Sequence, residues 1–506
     1  MTQPARIDDA TLGARALSHL QAVVAIDSQS DERSDAVPTT EGQRVLADWL
    51  AAFFAEQGAT VERDAFANIL AHFPGRGAAA GRPPVALLVH LDTARGTQAV
   101  PHLHVQPAWD GGRIPYPNNP SIQVDLVNYP AAAVFRGHDV VFGNGDFPFG
   151  LDDKLGLTHL MTLATLLPEN PDVEHPPLLL VGRPDEEVGR HEAIVALAAL
   201  FSERGVRHAY TIDGIWPFEM NVENFNAAMA RVVFPHGDAA PEGHVLVARI
   251  GGVNTHGATA AAEGHRAAPR LVAEWAAASP GLIVLSFESD ALRDCDAVVK
   301  VAVPDADAAR AALAGVMAPH LPRGASWSLE TAAAAPTPTA AASHAVAWLQ
   351  RFYASQPGFT LGCEDSSGRD GYSHPFRINP VPGGLRLDVR IRDFDADGLD
   401  RRIAHVQSLA PDAEIIRQYV NMGPRLAPHP ELVDWAERAA AQVGVTCDRS
   451  PIRGGTGVDP FLDRGIPVAN LGTGYFSPES EKELTSVQMM AAHARWLFAL
   501  VQEVGA

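Results

Sequence analysis

Pro84-Val85-Ala86-Leu87-Leu88-Val89-His90 decides how the chain is read. Seven residues, almost all apolar, are too continuous for a half-exposed strand and too short for a helix. Such a run marks a strand buried on both faces, as in the centre of an α/β sheet. Working outward, Leu178–Val181, His208–Ile212 and Val468–Leu471 read as further strands, and Phe66–Phe73 as one preceding them. Between and around them lie helical patterns at Leu12–Ile26, Glu41–Gly58, Lys154–Leu167, His191–Phe201, Pro430–Gly444 and Gln488–Val504. In Glu41–Gly58 the residues Leu46, Trp49, Leu50 and Phe53 share a side, and Gly58 is suited to end the helix. This alternation predicts an α/β fold, a mostly parallel sheet covered by helices.

The middle of the chain reads differently, with antiparallel-looking strands broken by Ala-rich helices. One pattern occurs twice there. Ala297–Val303 (AVVKVAV) is followed by an acidic turn and the helical run Ala308–Val316, and Leu385–Ile391 (LRLDVRI) by Arg392-Asp393-Phe394-Asp395 and a helical run to about Val406. The acidic residues are placed to cap the two helices. The expected organisation is therefore a catalytic domain in two parts, 1–225 and 421–506, split by an inserted α+β lid or dimerisation-like domain over 226–420.

Composition narrows the function. The 506 residues carry 39 Lys+Arg against 60 Asp+Glu, a formal charge of -21, which disfavours nucleic acid and anionic membranes as partners. No run of about 18 uncharged apolar residues is present, so no membrane span is expected. The first fourteen residues lack the pattern of a signal peptide. The three cysteines, Cys295, Cys363 and Cys447, are far apart and form no CxxC pair, which argues against a disulfide scaffold and a Cys-type zinc site. A cytoplasmic location is the expectation.

Chemistry-bearing residues concentrate directly after the predicted strands, where α/β proteins bind ligands. They are His90-Leu91-Asp92, Gly150-Leu151-Asp152-Asp153, Pro184-Asp185-Glu186-Glu187 and Asp213. Taken singly, His90 reads as a core histidine, Asp152-Asp153 as a helix cap and Glu186-Glu187 as a solvated helix start. Four such groups at successive strand ends read instead as a cation site, because clustered carboxylates repel and burial raises their cost. Oxygen and imidazole donors without thiols suit Zn, Mn or Co.

These segments resemble the M20 metallopeptidase family, and within it the aminotripeptidase branch called peptidase T. The matching text is HLDT (90–93), GLDDKLG (150–156), PDEEVGR (184–190), YTIDG (210–214), VENFNAA (222–228), RDFD (392–395), VNM (420–422) and PIRGGT (451–456), in the family's order. The resemblance implies one or two divalent metal ions held by His90, Asp152, Glu187 and Asp213, with Asp152 bridging. It implies Asp92 as the carboxylate orienting His90, Glu186 as general base, and His256 as a lid histidine that helps hold the oxyanion. Arg453, Asn421, Gly454 and Gly455 fall at substrate-binding positions.

The chain also departs from the family. Peptidase T carries a last histidine ligand where this chain reads Gly474-Tyr475-Phe476-Ser477-Pro478-Glu479-Ser480-Glu481-Lys482. Anchored on Glu483-Leu484-Thr485-Ser486, the ligand position falls on Lys482. Either Glu479 or Glu481 replaces the histidine, or one ion is absent, or the site is inactive. His256 is followed by Gly257-Ala258 rather than Pro-Gly, Gly457 stands where an Asp is usual (with Asp459 a shifted substitute), and the middle domain is enlarged. The expected function is a metal-dependent hydrolase of a C–N bond in a small carboxylate-bearing molecule or short peptide. Alternatives are an aminotripeptidase, an aminohydrolase of an activated aromatic amine such as 5-nitroanthranilate, and an inactive binding protein. Aromatic residues in segments able to line a site are Trp109, Trp216, Phe218, Tyr372, Phe376 and Tyr475. Both monomer and homodimer fit.

Overall fold

The structure is a computed structural model, and it describes residues 3–237, 243–332, 340–355 and 357–505. The chain divides into two compact units. One comprises 1–119, 125–224 and 422–506; the other comprises 120–124 and 225–421. Asn421 and the short segment 120–124 thus belong to the inserted unit, where Gln123 N–H donates to the Pro322 carbonyl.

The first unit is built on an eight-stranded sheet in the order Thr60–Arg63, Ile69–Phe73, Leu178–Arg183, Val85–His90, His208–Gly214, Val468–Gly472, Glu219–Asn221 and Asp448–Arg449. Four of its seven pairings are parallel, including the central ones that flank Val85–His90. Every residue of Val85–His90 and of Leu178–Arg183 is buried, as the continuous apolar runs require. Helix Leu151–Glu169 lies on the sheet and is enclosed by helices Asp9–Val24 and Val487–Glu503. Nearly all its side chains are therefore buried, and its sequence lacks a strong amphipathic stripe.

Several boundaries differ from expectation for local reasons. The strand expected from Phe66 begins at Ile69, because the Asp64 carboxylate gathers the N–H groups of Phe66 and Asn68 into a turn with Ala67 at φ 70°. Asp213 lies inside its strand, which continues to Gly214. In helix Glu41–Glu56 the buried stripe is Gln43, Leu46, Ala47, Leu50 and Phe54, while Trp49 and Phe53 stack on its flank. Lys154 Nζ donates to the carbonyls of Val23 and Ile26 at the end of the first helix.

The inserted unit contains two four-stranded antiparallel sheets of identical topology. The first has the order Ile283–Ser289, Ala297–Val303, His244–Gly251, Ser326–Thr331; the second has Tyr372–Val381, Gly384–Asp393, Asn226–Pro235, Glu414–Tyr419. Each runs strand, helix, hairpin, helix, strand, the helices being Ala268–Ala278 and Ala306–Met317 in one and Ala340–Ala354 and Ala396–Leu409 in the other. The AVVKVAV and LRLDVRI segments are the corresponding hairpin strands. Both sheets contribute to one apolar core, including Val299, Val301, Leu387 and Val389. The first module is inserted into the second, after its opening strand. Of the acidic turns, Asp305 caps its helix through the N–H groups of Asp307 and Ala308, whereas Asp395 makes no side-chain cap.

Candidate metal centre

Parallel register aligns the ends of the central strands, pairing His90 with Arg183 and Leu88 with Thr211. The loops that follow must therefore converge. His90 Nε2 lies 2.9 Å from Asp152 Oδ1 and 3.3 Å from Asp213 Oδ1. Its Nδ1 is 3.0 Å from the Asp92 carbonyl and 3.4 Å from Asp92 Oδ1, which leaves Nε2 facing the two carboxylates. The fully buried Asp92 carboxylate accepts the N–H groups of Glu186 (2.9 Å) and Glu187 (3.1 Å), so one side chain aligns the histidine and both glutamates.

Two groups of atoms that could hold a metal ion result. One is His90, Asp152 and Asp213; the other is Asp152, Glu187 and Glu479, and in each group the ligand atoms all lie within 4.8 Å of one another. Asp152 belongs to both. Tyr475 Oη donates to Asp152 Oδ2 at 3.1 Å. The electrostatics fit cations. Burial, and then the charges of Glu479 and Asp152, push the Glu187 carboxyl well above its ordinary range, and Asp213 is pushed up to about 7 mainly by burial. Burial lowers the His90 pKa, yet Asp213 and the bonds to Asp152, Asp213 and Asp92 raise it well above the usual value. Glu187 Oε1 is buried with no hydrogen-bond partner among the described residues. A pocket so short of positive charge, with a carboxylate oxygen left over, is what divalent ions relieve.

No family model matches the chain. It is 25% identical over 499 residues to peptidase T of Geobacillus thermodenitrificans, covering 95% of both chains. Its fold is similar to that of aminopeptidase PepT from Bacillus cereus (TM-score 0.51, 16% identity, 98% of this chain and 99% of that one). It is also similar to a tripeptidase from Staphylococcus aureus (TM-score 0.53, 14% identity, 97% and 98%). The chain is thus similar to peptidase T along nearly its whole length. Like the peptidases it resembles, it is a hydrolase acting on C–N bonds.

Within the acidic cluster the segment lacking the histidine resolves into three separate side chains. Glu479, at φ 54°, joins the second metal-binding group. Glu481 faces Lys482, whose fully buried Nζ is 3.5 Å from Glu481 Oε1. Glu483 organises the loop: its Oε2 accepts the N–H groups of Phe149 and Gly150 (2.9 Å each), and its Oε1 accepts that of Glu479 at 3.1 Å.

Arg183, which the strand reading passed over, donates from Nη2 to Glu186 Oε1 at 3.0 Å. The signal was a charged residue ending an otherwise apolar strand. Gly457 leaves room for this pair, since a Cβ there would come 2.5 Å from Arg183 Nη2 and 3.0 Å from Glu186 Oε1. Asp459 does not enter the site as a shifted substitute; it pairs with Arg425. Arg453 is buried in the first unit. His256 and Asn421 belong to the inserted unit, where Asn421 N–H donates to Asn226 Oδ1 and its amide donates to the Phe394 carbonyl. Of the aromatic candidates, Tyr475 reaches the site, while Trp109 donates to the Gly112 carbonyl and Phe218 stacks on His493.

Proposed function

We propose that the chain is a two-metal hydrolase that cleaves a C–N bond next to a free amine or a carboxylate in short peptides and related small amides. The observation that carries this reading is the meeting of the two ligand groups at Asp152, with Glu186 held beside them. His90, Asp152 and Asp213 would hold one ion, and Asp152, Glu187 and Glu479 the other. Such ions, Zn, Mn or Co, supply Lewis-acid charge that acidifies water and polarises the scissile carbonyl. Glu186 is the general base: it takes the proton of the attacking water and delivers it to the leaving amine. Its carboxylate is aimed from both ends, by Asp92 on its backbone N–H and by Arg183 on Oε1. Arg453 is assigned to the substrate carboxylate and His256 to the oxyanion, on the family resemblance.

The test is a metal-loaded protein assayed on tripeptides, dipeptides, N-acyl amino acids and 5-nitroanthranilate. Hydrolysis of the peptides is expected. Glu186→Gln should lower kcat by about 10²–10⁴-fold with metal content unchanged. Full activity in that variant would remove Glu186 from the role, and turnover of the aromatic amine alone would remove the peptide assignment.

A further inference from the structure

The inserted unit contains a second set of ligand-type side chains, unrelated to the acidic centre. His265 follows the short helix Ala260–Glu263, Cys363 opens the turn Cys363–Asp365, and His374 lies on strand Tyr372–Val381. One ring nitrogen of each histidine and the Cys363 sulfur all lie within 4.8 Å of one another. The two Nε2 atoms are 3.4 Å apart, long for an N–H···N hydrogen bond. Tetrahedral zinc with Zn–N of about 2.0–2.1 Å places two ligating nitrogens at about that separation. All three residues are buried, and His374 Nδ1 has no hydrogen-bond partner among the described residues. Glu364 completes the surroundings. Its Oε1 takes Arg266 and Arg270, while its Oε2 lies 3.7 Å from Cys363 Sγ and 3.8 Å from His374 Nδ1.

We propose that His265, Cys363 and His374 form a zinc site in the inserted unit, with Glu364 or a water as the fourth donor. Two imidazoles and a thiolate are borderline-soft ligands that select zinc or cobalt over manganese, the reverse of the oxygen-rich acidic centre. The Cys363 thiol gives up its proton when the ion binds. The ion's place in the fold gives it a job. The Val253–Arg266 backbone pair closes a loop that carries both His256 and His265, and Thr259 N–H donates to the His256 carbonyl. The side chain of His265 on one end of that loop, tied through an ion to Cys363 and His374, fastens the His256 loop to the strand beneath it. Gly257 already packs so close to Tyr372 that a Cβ would lie 2.7 Å from its hydroxyl oxygen.

The test is optical. The acidic centre contains no thiol, so a thiolate-to-cobalt charge-transfer band reports the new site alone. The full chain, stripped of metal and loaded with Co²⁺, should show this near-ultraviolet band and lose it in Cys363→Ser together with one equivalent of metal. The band should survive Asp152→Asn, which disables the acidic centre, so the two sites fail independently. His265→Gln, compared by circular dichroism with the parent, serves if Cys363→Ser does not fold, and it should weaken and shift the band. A wild-type protein without the band, or a band unchanged in the variant that folds, overturns the site.

Discussion

The two ligand groups that share Asp152 are unlike each other. The first is made at the ends of rigid strands: His90 and Asp213 sit on buried central strands, and the imidazole is held by both the carbonyl and the carboxylate of Asp92. The second is all carboxylate, and its third member, Glu479, comes from a loop in left-handed backbone conformation, held by Glu483 through its N–H. An imidazole on a strand is prepaid in orientation, whereas a carboxylate on a loop is not. The difference sets a ligand group with an imidazole fixed at strand ends against an all-carboxylate group of harder donors that depends on a loop.

This contrast can be broken by substitution. Asp152→Asn should be the most damaging change, because it empties both groups; loss of about 10³-fold or more in kcat/KM is expected, with elemental analysis of the purified variant showing the metal gone. His90→Ala should remove one ion and cost nearly as much. A variant that kept two ions would show that the strand-end group is not a separate position. Glu479→Ala should remove the other ion at a cost of about ten- to a hundred-fold, while Glu481→Ala should leave the metal count unchanged. If Glu481→Ala instead loses an ion, the assignment of the two glutamates is reversed. Glu479→His should raise zinc affinity at the second position, read by isothermal titration, since it exchanges a carboxylate for the softer imidazole. Smallest is the kinetic difference under a chelator: the loop-built position should empty first, giving two phases of metal release that merge into one in Glu479→Ala.

Much of the catalytic unit could be read from residues alone because its central strands are buried on both faces. Continuous apolar runs such as VALLVH and LLLVGR need no knowledge of their neighbours to be recognised, and the polar residues that end them stand out. His90 and Asp213 were visible for that reason, while Asp152 and Glu187 stood out through the GLDDKLG and PDEEVGR motifs. Glu479 and Glu481 were indistinguishable, since both lie in an irregular segment whose backbone is set by Glu483 from a distance in space. Arg183 was hidden because the strand, which runs to Arg183, was read as ending at Val181. The cluster of His265, Cys363 and His374 had no readable spacing at all, because a turn after one helix, a loop and a strand of another module bring it together. The echo of AVVKVAV in LRLDVRI was legible as local pattern, but its nesting was not. Nesting is a matter of which strand pairs with which, and among the described residues strand Asn226–Pro235 pairs with Gly384–Asp393 and Glu414–Tyr419.

That nesting has a consequence for how the chain acquires its structure. The inner module has all four of its strands once synthesis passes Thr331, so it can collapse while the remainder is still unmade. Strand Asn226–Pro235 must wait, unpaired and partly apolar, until residues far downstream arrive. Closing that long loop is entropically costly and slow. The inner module therefore stands as the natural first-folding unit of the pair, and the outer one as the step at which a growing chain is most open to mispairing.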